Sequence, residues 1–486
     1  MKPADTKPSL PPTSGPQPLA PARQALASLA LSTLLASLGA SVTAVGLPVL
    51  AQAFDASFQH VQWVVLAYLL AITTLIVSLG RLGDLIGRRK LLLAGIALFT
   101  LASALCGLAP SLWLLIAARA LQGLGAAIMM TLTLALVGET VDKARVGSAM
   151  GLLATLSAVG TALGPSLGGV LMTGFGWQAL FLVNVPLGLV TLLLAWRSLP
   201  AGQAAHVEKV RFDVTGTLLL AAALGAYALA MTLGGGHFGG LNVSLLAAAI
   251  MSGGWFVRTQ RRRPSPLIPL TMFGDRLLVS GLATSALVAT VMMATLLVGP
   301  FYLSIALGLP SAIVGLVLAV GPAVAALAGM PAGRLADRFG GRPMRLLGLA
   351  TMAGGCLLLS LVPPALGIAG YVTAITVTTL GYAMFQTANN AAVMAEIPAS
   401  QRGVIAGLLN LSRNLGFFSG AAVLGAVFAA LLPTNGTPSA SPQAVADGLH
   451  VTFAAALSLM VLAGFIAFKY REPEPLAALQ DTAGRP

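Results

Sequence analysis

Charge is what this sequence has least of. Asp, Glu, Lys and Arg make up 8% of its 486 residues, against 57% hydrophobic residues. An ordinary soluble domain carries about 25% charged residues, so this composition excludes one. Acid is scarcer than base, with 14 Asp and Glu against 27 Lys and Arg, for a formal net charge of +13. That excess does not point to nucleic acid. The basic residues sit in short gaps beside apolar runs, as residues flanking membrane spans do. Cys106 and Cys356 both lie inside apolar runs, which leaves no disulfide framework and no thiolate metal site. Four histidines, none in a Cys/His cluster at ligand spacing, exclude a zinc module. No P-loop motif is present, so ATP is not the expected energy source and no cofactor is expected. No catalytic constellation suggests an enzyme. Strand-like alternation is missing too, which excludes an outer-membrane barrel.

What the chain has is apolar length. Windows long enough to span a bilayer recur near 25–50, 61–80, 90–108, 112–137, 147–173, 177–196, 213–234, 241–258, 277–304, 310–333, 343–363, 365–395, 403–432 and 447–469. The expected fold class is an all-α integral membrane protein with fourteen transmembrane helices and the lipid bilayer as its main partner. Lys and Arg occupy even-to-odd gaps, such as Arg81 to Lys90, Lys143 and Arg145, and Arg334 to Arg345. The opposite gaps hold none. The expected location is therefore the cytoplasmic (inner) membrane, with both termini cytoplasmic. The Pro-rich start is read as a disordered tail and not a cleaved signal. His60, His237 and His450 fall in the external gaps and read as loop residues. Arg119 and Arg413 stand out as basic residues inside long apolar stretches. Such groups are costly at bilayer depth and normally face a polar interior.

The chain also repeats itself. GRLGDLIGRRK at 80–90 returns as GRLADRFGGRP at 333–343, an offset of 253. Glu139 followed by Arg145 is echoed by Glu396 followed by Arg402. Long-period similarity predicts two like bundles related by an axis along the membrane normal. The expected division is a tail at 1–24, a six-helix bundle at 25–196, and linkers with two inserted helices at 197–276. A second six-helix bundle at 277–470 and a tail at 471–486 complete it.

Several motifs carry a family resemblance. Gly80-Arg81-Leu82-Gly83-Asp84 with Gly87 to Lys90, Arg119-Ala-Leu-Gln122-Gly123, and Gly160-Thr-Ala-Leu-Gly164-Pro165-Ser-Leu-Gly168-Gly169 together resemble the major facilitator superfamily. Within it the chain is similar to the fourteen-helix drug:proton antiporter branch. The resemblance implies a major-facilitator-type fold in which Gly80, Gly83, Asp84 and Arg88, with Asp337 and Arg338 in the second bundle, form a conformational latch. It makes Arg119 and Gln122 candidates for coupling or substrate binding. For Arg119 the residue-level alternative is an arginine bonded to backbone carbonyls that holds its bundle. Gly160, Gly164, Pro165, Gly168 and Gly169 are read as helix-packing residues, since small residues four apart let helices touch.

One departure bears on mechanism. Relatives in that branch carry an Asp where this chain has Gly39 and an Asn where it has Ala44. No other acid lies near the middle of a span, so proton coupling and a taste for cationic cargo both lose their usual residue. Neutral polar groups remain: Tyr382, Gln386, Asn389 and Asn390 in span 12, and Asn410, Arg413 and Asn414 in span 13. Trp63, Tyr68 and Tyr302 add aromatic character. Amides and rings suit a neutral or anionic ring compound; the plainer reading is interhelical polar glue. The expected function is a secondary transporter of a small-molecule substrate, working by alternating access as an exporter of drug-like compounds; the antiporter resemblance implies proton coupling, which Gly39 leaves without its usual acid. The alternatives are an uptake carrier for a neutral aromatic metabolite such as riboflavin, and a non-transporting sensor or scaffold.

Overall fold

Apolar runs of this length satisfy their backbone polar groups in lipid by forming helices, and the computed structural model of the chain is helical accordingly. It describes residues 19–141, 146–199, 213–233, 239–263, 270–395, 402–432 and 440–470. The helices are α1 (Leu19–Ala53), α2 (Phe58–Ile86), α3 (Arg88–Gly107), α4 (Leu112–Thr140), α5 (Val146–Phe175), α6 (Ala179–Leu182), α7 (Asn184–Ser198), α8 (Val214–Thr232), α9 (Gly240–Arg262), α10 (Arg276–Phe301), α11 (Ser311–Phe339), α12 (Gly341–Leu361), α13 (Gly367–Ala395), α14 (Arg402–Ser419), α15 (Gly425–Ala429) and α16 (Pro442–Lys469). Short π-helical turns at Tyr302–Ala306 and Gly420–Leu424 extend α10 and link α14 to α15. Among the described residues, fourteen segments are long and apolar enough to cross a membrane. They match the fourteen expected windows within a few residues. The tails at 1–18 and 471–486 lie outside the described residues, as does His237.

The internal repeat has a structural counterpart. α2 ends at Gly87 with φ +98°, and α11 ends at Gly340 with φ +90°. These left-handed positions favour glycine, and each turns the chain directly into the next helix. Beyond the turn, backbones meet at paired glycines. A Cβ on Gly125 of α4 would stand 2.7 Å from Phe99 N and 2.9 Å from Gly95 O of α3. One on Gly381 of α13 would stand 2.5 Å from Met352 N and 2.7 Å from Gly348 O of α12. Gly95 and Gly348 occupy equivalent places in the two copies of the repeat.

Contacts between the first and second halves gather at the end where α1 finishes and α2 begins. Phe58, Phe301 and Phe428 meet there edge-on, with Phe58 5.1 Å from Phe301 and 4.9 Å from Phe428 between ring centroids. Gly169 of α5 touches the Ser311 carbonyl and Gly315 of α11. The related crossing puts Gly425 of α15 against Gln62 of α2, whose amide donates to the Ala421 carbonyl. The segment 213–262 fastens alongside. Trp63 Nε1 donates to Thr232 Oγ1 of α8 at 3.2 Å, and the Ser78 and Thr217 hydroxyls lie 2.7 Å apart. Tyr227 of α8 also meets Phe418 of α14, with centroids 6.1 Å apart. Asp213 caps α8, accepts from Gln260 at 2.8 Å and pairs with Arg263 at 3.1 Å, which joins α8 to α9.

Two histidines expected in loops lie instead on helices. His60 is in the first turn of α2, and His450 of α16 has its Nε2 2.8 Å from the Val362 carbonyl. Arg345, assigned by sequence to a polar gap, is buried in α12 with Nη2 3.4 Å from Ser280 Oγ of α10.

The paired crossings make a prediction. Gly125→Val and Gly381→Val should each lower the midpoint of thermal unfolding in detergent, overpacking of this kind costing about 1–3 kcal/mol. Gly254→Val, at a position with open space, should leave the midpoint unchanged. Equal behaviour of all three variants would refute the packing role.

Candidate functional site

Arg119 is 1% exposed and packed within the first half of the chain. Its Nε donates to the Val64 carbonyl of α2 at 3.0 Å, and its Nη1 to the Gly39 carbonyl of α1 at 3.2 Å. Nη1 also donates to Gln122 Oε1 one turn along α4. Gln122 passes the chain on, donating from Nε2 to Ser103 Oγ of α3 at 2.7 Å. The guanidinium lies over the Tyr68 ring at 4.1 Å, and the Tyr68 hydroxyl donates to the Ala36 carbonyl at 3.2 Å. Four helices are joined through one planar cation, a use for which five fixed donors suit arginine better than lysine. Of the two readings the sequence left open, these contacts match backbone anchoring. Among the described residues no carboxylate pairs with it.

The substitution at residue 39 is structural as well as chemical. A Cβ there would lie 2.6 Å from the Phe99 ring. The space an aspartate would fill is taken by the edge of an aromatic ring.

A cavity lies between α10, α11 and α13, bounded also by Thr161 of α5 and Phe417 of α14, with a volume of about 120 Å³. It sits next to the Gly169–Gly315 crossing, since Leu318, Gly321 and Pro322 of α11 line it. α13 contributes Tyr371, Ile375, Thr379 and Tyr382 at spacings of three and four, which is one helical face. Gln386 and Asn390 lie one and two turns beyond Tyr382, and Gln386 Nε2 donates to Asn390 Oδ1 at 3.2 Å.

Asn389 does not belong with them. It is fully buried and donates to the Gly281 carbonyl of α10 at 3.2 Å, so it ties α13 to α10. In α14, Ser412 donates to the Leu282 carbonyl at 2.6 Å and Gly416 packs on Ala286. Arg413 is half-buried, donates to Asn410 Oδ1, and lies one turn from the cavity-lining Phe417 on the same face. Asn414 donates to the Asn410 carbonyl at 2.8 Å. Trp63 faces α8, and Tyr302 is buried against Tyr371 with centroids 5.9 Å apart.

The glycine-rich motif of α5 divides its labour. A Cβ on Gly160 would stand 2.7 Å from the Leu34 carbonyl, and Gly164 and Gly168 meet Ser41 and Val45 of α1. Gly169 faces α11 instead, and the Pro165 carbonyl meets Gly315 there. Of the expected latch, Gly83 packs on Leu132 of α4, while a Cβ on Gly80 would stand 3.7 Å from Thr131. Arg88 opens α3, and the exposed Arg338 lies in the last turn of α11 with its guanidinium 5.4 Å from the Phe339 ring. The side chains of Asp84 and Asp337 lie outside the described set. Sequence reading missed Tyr371, Thr379 and Gln62, which carry only a helical spacing or a seam contact as signal.

Arg119→Met should strand the Gly39, Val64 and Gln122 acceptors, at about 1–3 kcal/mol for each that stays unpaired. Its unfolding midpoint should fall well below that of Arg413→Met. Gly39→Asp should also unfold earlier than wild type, because Phe99 must move; an unchanged midpoint would refute the fit described for that site.

A family model for the Major Facilitator Superfamily matches residues 29–421. Multidrug resistance protein Stp of Mycobacterium tuberculosis is 33% identical, the match covering 85% of this chain and 77% of that protein. Riboflavin transporter RibZ of Clostridioides difficile is 27% identical over 84% of this chain and 88% of that protein. Among solved structures, a bacterial homologue of the human lysosomal transporter Spinster, inward-facing and unoccupied, superposes with a TM-score of 0.69. It is 16% identical and covers 93% of this chain and 97% of its own. With fourteen apolar helices, a half-to-half seam and a cavity beside it, the chain belongs to the Major Facilitator Superfamily, as a multi-pass membrane transporter of small molecules.

Proposed function

We propose that the chain exports drug-like organic compounds across the inner membrane by alternating access. The cavity beside the Gly169–Gly315 crossing carries this reading. Residues 25–196 and 277–470 act as the two bodies that rock about it, and 197–276 forms an addition to them. With both termini in the cytoplasm, the seam of Phe58, Phe301, Phe428 and Gln62 closes the outer side. Parting it and closing the opposite side delivers cargo outward. Asp84 with Arg88, and Asp337 with Arg338, latch the inner side in the outward-open state. The name of the relative Stp supports drug efflux.

Among the described residues, no acid lies near the middle of a candidate span, which leaves proton coupling without its usual carboxylate. Among the described residues, Asp447 is the one acidic residue inside a candidate span, exposed on the second turn of α16. The second reading, uptake of riboflavin or a similar neutral ring compound, draws on this feature and on the relative RibZ.

Expression in a bacterial strain lacking its own exporters should raise tolerance to hydrophobic drugs several-fold. Unchanged tolerance together with restored growth of a riboflavin auxotroph would replace export by uptake. Within either reading, Gln386→Leu should reduce flux while the unfolding midpoint holds, and Asn389→Leu should lower the midpoint, because one residue lies one turn beyond the cavity-lining Tyr382 and the other ties α13 to α10. Asp84→Asn and Asp337→Asn should each slow turnover without loss of membrane insertion; wild-type turnover in both would remove the latch.

A further inference from the structure

Two hydroxyl groups at the cavity have nothing to bond. Tyr371 and Thr379 are each 1% exposed, and neither hydroxyl has a hydrogen-bond partner. Buried polar groups are nearly always paired, and leaving one unpaired costs about 1–3 kcal/mol. Both residues line the same cavity, two turns apart on one face of α13 with Ile375 between them. Other orphaned hydroxyls, such as those of Thr74, Thr133 and Ser285, lie away from this cavity's lining. The remaining walls are chiefly apolar: Met292, Leu296, Leu318, Ile375 and Phe417.

Size narrows the occupant. At 120 Å³ the cavity falls short of the roughly 300 Å³ or more that surrounds a drug-sized ligand. It fits one ring or one edge of a larger molecule, not the whole. Charge narrows it further. No carboxylate lines the cavity, so a cationic group entering it would lose water and gain no counter-charge, which is costly. Arg413 lies on a lining face one turn from Phe417, and its charge would repel a cation.

Resting on the transport reading above, we propose that Tyr371 and Thr379 form a subsite for the uncharged polar edge of an aromatic cargo. Separate acceptors along that edge take the two hydroxyls while the ring lies against Phe417 and Leu318. The carrier therefore takes neutral ring compounds in preference to cations.

The test uses the purified full-length protein in proteoliposomes, with riboflavin and chloramphenicol as uncharged probes and ethidium as the cation. Wild type should carry at least one uncharged probe faster than ethidium. The pair Tyr371→Phe and Thr379→Val, combined, should raise KM for that probe by about tenfold, the loss expected for removing one to two net hydrogen bonds. The unfolding midpoint should stay the same or rise, because the variant removes orphaned polar groups and keeps their shape. A purely structural role would instead lower the midpoint and the maximal rate together. Wild-type KM in the double variant overturns the subsite. Ethidium carried faster than either uncharged probe overturns the cargo class and leaves export standing. No flux of any probe overturns the transport reading as well.

Discussion

Contact between helix backbones at glycine is the interaction on which this molecule depends. Lipid is as apolar as a leucine-rich helix face, so hydrophobicity alone does not press one span onto another. Close van der Waals approach does, and it needs positions without side chains. Gly95 with Gly125, Gly348 with Gly381, and Gly169 with Gly315 supply it. The first two pairs set α3 on α4 and α12 on α13. The third sets one half against the other beside the cavity. The same device therefore builds each half and forms the seam between them.

The two halves are alike, and their differences are informative. Gly315 of α11 admits the Pro165 carbonyl at one crossing, whereas at the related crossing Gln62 of α2 donates its amide to Ala421. One seam is packed and the other is hydrogen-bonded. The deep cation shows a similar asymmetry. Arg119 binds four helices of the first half through carbonyls and Gln122, while the second half buries Arg345 against Ser280 nearer the start of α12.

The sequence made the architecture legible because its signals are long. Fourteen spans emerge from runs of some twenty apolar residues, and the repeat from two copies of a loop whose Gly87 and Gly340 take up the same left-handed turn. Site residues were harder to read because direction around a helix decides their role. Gln386, Asn389 and Asn390 lie within about one turn, yet Asn389 bonds to α10 while Gln386 and Asn390 bond to each other. Arg345 falls just inside a window whose edge hydropathy places only to within a few residues. Nothing in a single apolar stretch announces that Phe99 covers residue 39, since that contact joins separate helices.

The α8–α9 hairpin is clipped to α2 near both ends of α8, through Thr232 and Thr217, and its own two helices are tied by Asp213. None of its described residues borders the cavity. A lineage that gained or shed this hairpin would keep the cavity lining intact, so helix number and cavity chemistry are free to evolve on separate schedules.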